Sequence, residues 1–166
     1  AAAAVKLAAQ PWMQLPGTQR VIAALLGARF VGGAVRDGLL GLPVSDVDIA
    51  TPLPPDAVVA ALTAAGIKTV PTGIAHGTVT AVTPDSTLEI TTLRRDVSTD
   101  GRHATIAFTD DWAEDAARRD FTINALSLDP EGGDVHDYFG GLADLAARRV
   151  RFIGVARERI AEDHLR

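Results

Sequence analysis

Asp46 and Asp48 are the pair in this chain best suited to hold a hard cation. They lie in Ser45-Asp46-Val47-Asp48-Ile49-Ala50, where polar and apolar residues alternate. Read as a strand, this stretch projects both carboxylates from one face and buries Val47 and Ile49 on the other. Magnesium takes oxygen ligands and is commonly held by one or two carboxylates together with substrate phosphates. Alone, Asp-x-Asp also suits a solvated strand edge or turn.

What precedes the pair favours the cation. Phe30 and Val31 read as the end of a buried strand, Gly32-Gly33 as a tight turn, and Ala34 to Leu40 as a helix closed by Gly41. Without a Cβ at the turn, a ligand can approach the backbone closely, and the start of the helix favours an anion. A triphosphate fits, with Gly32, Gly33 and Arg36 to hold it and Asp46 and Asp48 to hold Mg2+.

The block GGAVRDGLLGLPVSDVDIAT resembles the signature of the class II tRNA nucleotidyltransferases (CCA-adding enzymes) and of the bacterial poly(A) polymerases, both in the polymerase β superfamily. A second stretch, Arg118-Arg119-Asp120-Phe121-Thr122-Ile123-Asn124-Ala125-Leu126, is similar to the same family's second signature, in the same order and at a comparable distance. The resemblance covers residues from about 30 to 166. It implies an α+β fold: a polymerase β-like nucleotidyltransferase head with a mixed sheet and packed helices, leading into a truncated neck helix. It implies the catalytic head over 30–153 and the start of the neck over 154–166; residues 1–29, outside the resemblance, read as an N-terminal helical segment. The implied reaction is attack of an RNA 3′-hydroxyl on the α-phosphate of CTP or ATP, with release of pyrophosphate, at the 3′ end of tRNA.

The resemblance also assigns roles. Arg119 is expected at a phosphate or ribose, with Asp120 and Asn124 organising the pocket around it; the plain alternative is that Arg118 and Arg119 only charge a helix C-terminus. Glu89, between Leu88 and Ile90, looks like the superfamily's third catalytic carboxylate, although such a triplet also suits any half-exposed strand. His76-Gly77-Thr78 resembles a loop that shapes the nucleotide pocket. Asp163 and Arg166, one helical turn apart, are expected to read the Watson–Crick edge of CTP or ATP; an exposed ion pair would have the same spacing.

The surrounding elements follow from pattern. Pro16-Gly17-Thr18 reads as a turn and N-cap before a helix carrying Val21, Ile22, Leu25 and Leu26 up to Gly27. Asp56 to Ala65 reads as a covering helix, and Lys68–Val70, Thr78–Val82 and Thr87–Thr92 as strands. Leu93 to Ala104 is polar and glycine-interrupted and reads as a mobile loop in which Arg94, Arg95 and Arg102 can meet phosphates. Asp110 or Asp111 is the expected cap of the helix through Arg118, Leu142 to Ala147 a short helix, and Val150 to Ile153 a last strand.

Composition bounds the rest. The 166 residues, 47% of them hydrophobic, suffice for one domain with a sizeable core. A net charge of −5 and a pI near 5.3 make this chain a poor partner for a polyanion, so most of the grip on tRNA is expected outside it. The absence of cysteine and of an apolar run of about 18 residues fits a cytoplasmic protein without a membrane span. The opening AAAAVKLAAQ is helix-prone, lacks the basic start of a secretory signal and lacks an initiator Met, and the closing helix has no stop signal; trimmed ends are expected. A poly(A) polymerase, an enzyme adding only CC or only A, a non-catalytic nucleotide-binding regulatory module and a small-molecule adenylyltransferase are the alternatives.

Overall fold

The structure is a computed structural model and describes residues 5–98 and 104–154. Its elements are β1 (Val5–Lys6), α1 (Pro16–Ala24), β2 (Arg29–Val31), α2 (Gly33–Leu39), β3 (Asp48–Thr51), α3 (Pro55–Ala64), β4 (Lys68–Gly73), β5 (Thr78–Val82), β6 (Thr87–Thr92), β7 (Arg94–Ser98), β8 (Ala104–Phe108), α4 (Trp112–Ala117), β9 (Ser127–Leu128), β10 (Asp134–His136) and α5 (Gly141–Ala146). Single 3-10 turns lie at Pro11–Met13, Ile74–His76 and Thr122–Asn124.

Alternation along the strands gives the sheet two unlike faces. Eight strands run in the order β1-β10-β9-β2-β3-β6-β5-β4, with β3 and β6 parallel and the other neighbours antiparallel. On one face Phe30, Ile49, Ile90, Val79 and Leu128 are fully buried against Val21, Leu25, Val58 and Leu62. Each such side chain contributes about 1.5–3 kcal/mol on leaving water. On the other face the register sets Ser127, Val31, Asp48 and Glu89 side by side in one row across β9, β2, β3 and β6. The expected mixed α+β sheet is therefore present, and its second face is the chemical one.

Several local expectations are corrected. Asp46 is not on a strand: β3 begins at Asp48, because its partner β2 ends at Val31 opposite Asp48 and turns away at Gly32. Without a ladder partner the alternation from Ser45 to Val47 is not used, and Asp46 sits exposed in the preceding loop. The stretch read as a mobile loop, Leu93 to Ala104, contains β7 and the first residue of β8, an antiparallel pair registered from Arg94↔Phe108 to Ser98↔Ala104. The ribbon stands outside the main sheet, and the charged Arg94-Arg95-Asp96 start of β7 hides that strand, although β8 carries no charged residue; Arg102 lies outside the described residues. The segment read as helix-prone at the N-terminus contains β1, which pairs with β10. Helix α1 starts at Pro16 rather than after a Thr18 cap: Thr18 is buried, and Asp85 supplies the cap from across the fold by accepting from the Gly17 N–H at 3.0 Å. Val150 to Ile153 forms no strand, only an isolated bridge between Phe152 and Phe121.

Helix α5 and the segment that follows it brace the second signature. Asp144 on α5, 4% exposed, accepts from the Thr122 hydroxyl and from Arg151 Nε at 2.9 Å. The Thr122 hydrogen bond, then Arg151, hold its carboxyl below the usual carboxylate range despite burial. Gly141 at the start of α5 lies against the Thr122 carbonyl, into which a Cβ would project. We expect Gly141→Ala to cost about 1–3 kcal/mol by overpacking, read as a lower urea midpoint. An unchanged midpoint would show that the backbone at Thr122 yields freely.

Candidate active site

The diglycine turn is built as its composition suggests. Gly32 has φ 74° and ψ −147°, a conformation open in practice only to glycine, and it is the residue from which α2 starts. A Cβ there would stand 3.7 Å from Asp48 Oδ2 and 4.0 Å from an Arg119 guanidinium nitrogen, so the turn runs between the carboxylate and the arginine. At Gly33 a Cβ would meet the Arg36 guanidinium at 3.2 Å, so the missing side chain lets Arg36 fold back over the turn.

The second signature faces this turn. Arg36 donates to Asn124 Oδ1 at 2.7 Å and, through Nε, to Asp37 at 2.9 Å. Asp120 Oδ1 accepts from Asn124 Nδ2 at 3.3 Å and from the Phe121 N–H at 2.6 Å. Asp120 thus fixes Asn124, and Asn124 fixes Arg36. Arg118 Nε and an Arg119 terminal nitrogen both donate to Asp115 at 3.2 Å, and Asp115 also accepts the Arg94 N–H at 3.0 Å. At 3% exposure Asp115 is a buried anion held by three donors, and it sets both arginines where α4 ends. Asp111 caps α4, accepting from the Ala113 and Glu114 N–H groups.

Together these groups line an open cleft of about 340 Å³ walled by Gly32, Gly33, Arg36, Asp48, Arg118, Arg119, Asp120 and Asn124. Seven of these eight are expected from the sequence; Arg118 is the addition. Glu89 lies outside the cleft wall but directly beside Asp48 in the parallel register of β3 and β6. Asp46 also lies outside the cleft wall, exposed in the loop before β3, and acts on Asp48 through its charge.

Electrostatics tie the carboxylates together. The carboxyl of Asp48 is pushed above the usual carboxylate range, first by burial and then by the negative charge of Glu89, with a smaller push from Asp46; Arg119 opposes them. Asp48, partly desolvated and under the negative charges of Glu89 and Asp46, is a carboxylate that a divalent cation would relieve. Among the described residues, no three His, Cys, Asp or Glu side chains already close into a metal site, so phosphate or water oxygens must complete any coordination shell.

The remaining expected residues are placed as follows. His76 is exposed and meets Arg94 only through its carbonyl, at 2.8 Å, and it does not line the cleft. Arg95 is 55% exposed at its side chain and stands 3.9 Å from Glu114. Asp163 and Arg166 lie outside the described residues. Asp115 and Arg118 were legible only as an acid followed at three and four positions by arginines, a helical ion-pair spacing.

Residues 28–151 match the profile of the poly A polymerase head domain. The chain belongs to this family. It is 50% identical over 139 residues to the mitochondrial CCA tRNA nucleotidyltransferase 1 of Mus musculus, covering 83% of this chain and 32% of that protein. It is 45% identical over 154 residues to the CCA-adding enzyme of Latilactobacillus sakei, covering 92% and 38%. Its fold superposes on the CCA-adding enzyme of Bacillus stearothermophilus in complex with CTP with a TM-score of 0.80 at 40% identity, over 95% of this chain and 37% of that one. The chain therefore spans about a third of the length of the curated relatives it matches. The family is of the polymerase β-like nucleotidyltransferase type, which typically uses a divalent metal. No described helix is long and apolar enough to cross a membrane.

Proposed function

We propose that this chain carries the catalytic head of a tRNA nucleotidyltransferase that adds CMP and AMP from CTP and ATP to the 3′ end of tRNA. The observation that carries the reading is the shared row of Asp48 and Glu89 beside a cleft walled by Gly32, Gly33, Arg36 and Arg119. It sets carboxylates for a cation against arginines for a triphosphate. Relatives whose names include CCA addition, and solved relatives complexed with CTP or with a primer tRNA and an ATP analogue, support it. The catalytic head is assigned to residues 30–153 and the start of a neck to 154–166, with most of the tRNA grip outside this acidic chain. The protein is assigned to the cytoplasm; its relatives include bacterial enzymes and a mitochondrial one.

The residues divide the work. Asp46, Asp48 and Glu89 carry catalysis, and Asp46 and Asp48 would hold Mg2+. When bound, the ion lowers the pKa of the attacking RNA 3′-hydroxyl and offsets charge on the pyrophosphate. Arg36 and Arg119 bind the triphosphate across the Gly32-Gly33 turn, and both are oriented before substrate arrives, by Asn124 and by Asp115. Asp120 holds Asn124.

Incubating the full-length protein with tRNA lacking its 3′ CCA, with each NTP singly and with CTP plus ATP, tests the reading. We expect C then A to be added and extension to stop; a long A tract from ATP alone would favour the poly(A) polymerase reading, to which the head-domain family's description lends weight. Loss of addition with every NTP would overturn both. Asp163 and Arg166 are proposed to read the base edge by hydrogen-bond pattern. A mismatched partner costs about 1–3 kcal/mol, or about 5- to 150-fold. Asp163→Ala should therefore relax the preference for C and A over U and G by about tenfold. An unchanged preference would leave the pair an exposed ion pair.

A further inference from the structure

The chemical face of the sheet continues past Asp48 to Arg29. Arg29 lies two residues before Val31, which pairs with Asp48, so its side chain leaves the same face. Strand spacings put its Cα roughly 8 Å from that of Asp48. The triphosphate cleft lies on the other side of Asp48, because Gly32, Gly33 and Arg36 follow Val31.

Among the described residues, the guanidinium of Arg29 is held by neutral groups. Its carbon sits 4.1 Å from the centroid of the Trp112 ring, and one terminal nitrogen donates to Tyr138 Oη at 3.0 Å and to Ser127 Oγ at 3.3 Å. Trp112 in turn packs on Val31, Ala50 and Leu93. Arg36, Arg118, Arg119 and Arg151 each have a carboxylate within 3.2 Å, whereas among the described residues none comes within 4.0 Å of Arg29. The remaining N–H groups of Arg29 are not buried. Its uncompensated charge reaches His136, whose pKa is lowered first by burial and next by Arg29, against the opposite pull of Asp129 and Asp134. A cation fixed in direction but not neutralised is an anion site awaiting its anion.

We propose that Arg29 binds the phosphodiester preceding the terminal nucleotide of the RNA being extended, which rests on the RNA-extension reading above. In-line attack puts the 3′-hydroxyl at Asp48 on the side away from the departing pyrophosphate, and the phosphate before that hydroxyl falls about one nucleotide further on, where Arg29 stands. Stacking on Trp112 limits the rotamer freedom that binding would otherwise remove.

The test compares Arg29→Gln and Arg29→Lys with the unaltered full-length protein, using tRNA lacking its CCA as primer and CTP as nucleotide. Arg29→Gln should raise KM for tRNA about tenfold and flatten the slope of log Kd against log salt by about 0.7–1. KM for CTP should stay within about twofold, which also reports an intact fold. Arg29→Lys keeps the charge and should restore the salt slope while recovering only part of the KM. Normal addition with an unchanged tRNA KM and salt slope in Arg29→Gln would overturn this assignment alone. A parallel rise in KM for CTP would also overturn it, placing Arg29 in the nucleotide cleft or the fold. Failure of the unaltered protein to extend tRNA at all would overturn the functional reading and this assignment with it.

Discussion

Asp48→Asn in the full-length protein is expected to lower kcat/KM for nucleotide addition by at least about 10³-fold, since a bound divalent ion supplies several kcal/mol of transition-state stabilisation. The amide keeps the shape of the side chain but loses the charge that would make it a hard-cation ligand. Asp46 alone, exposed on a loop, cannot replace it. The same substitution should raise the Tm of the metal-free protein, because it removes a partly desolvated anion from beside Glu89 and Asp46. It should also abolish the Tm increase expected when Mg2+ is added to the unaltered protein. Opposite movement of activity and stability is what separates a ligand from a structural residue. Retained turnover in Mg2+ would sink the metal assignment.

The direction of the Asp48 shift fixes its pH behaviour. A carboxyl whose folded pKa lies above its unfolded value binds more protons in the folded state between the two, so stability rises as pH falls through that window. The charged form is the costly one, and its cost is fully present at neutral pH. Protons and the divalent ion then compete for the same carboxylate, so Mg2+ affinity should begin to fail above the usual carboxylate range as pH is lowered. Calorimetric titration of Mg2+ across acidic pH reads this directly; affinity constant down to ordinary carboxylate pH would contradict it.

What the sequence disclosed was what local pattern determines. Gly32 announces a turn because its backbone must go where other residues cannot, Gly33 leaves room for Arg36, and Asp48 opens the short strand β3. Arg119, Asp120 and Asn124 are close enough in sequence to form one corner of the cleft together. Asp46 was misplaced because strand length is set by the partner: β2 has three residues, and no local pattern upstream of Asp48 can report that. The β7 and β8 pair was missed because a solvated ribbon carries no buried face to read. Arg29 was invisible for a third reason. Its importance rests on register and on having no carboxylate within 4.0 Å among the described residues, and both are tertiary facts.

Arg119→Ala is expected to lower kcat/KM by about 10²–10³, the scale seen when one preorganised donor to developing charge is removed. Arg119 stands across Gly32 from Asp48, with a terminal nitrogen bonded to buried Asp115, so it would meet a phosphate without first having to be ordered. Lysine in its place should recover little, since a point charge cannot hold Asp115 and a phosphate in the same forked geometry. A second effect follows from its charge. Arg119 opposes burial, Glu89 and Asp46 at the Asp48 carboxyl, so removing it should push that carboxyl still higher. The acidic limb of kcat/KM against pH, which reports essential groups of the free enzyme, should then move to higher pH in Arg119→Ala. A residue that only gripped phosphate would lower the whole profile without moving the limb. Full activity in Arg119→Ala would remove it from the site altogether, and a lowered profile with an unmoved limb would leave it the phosphate contact alone.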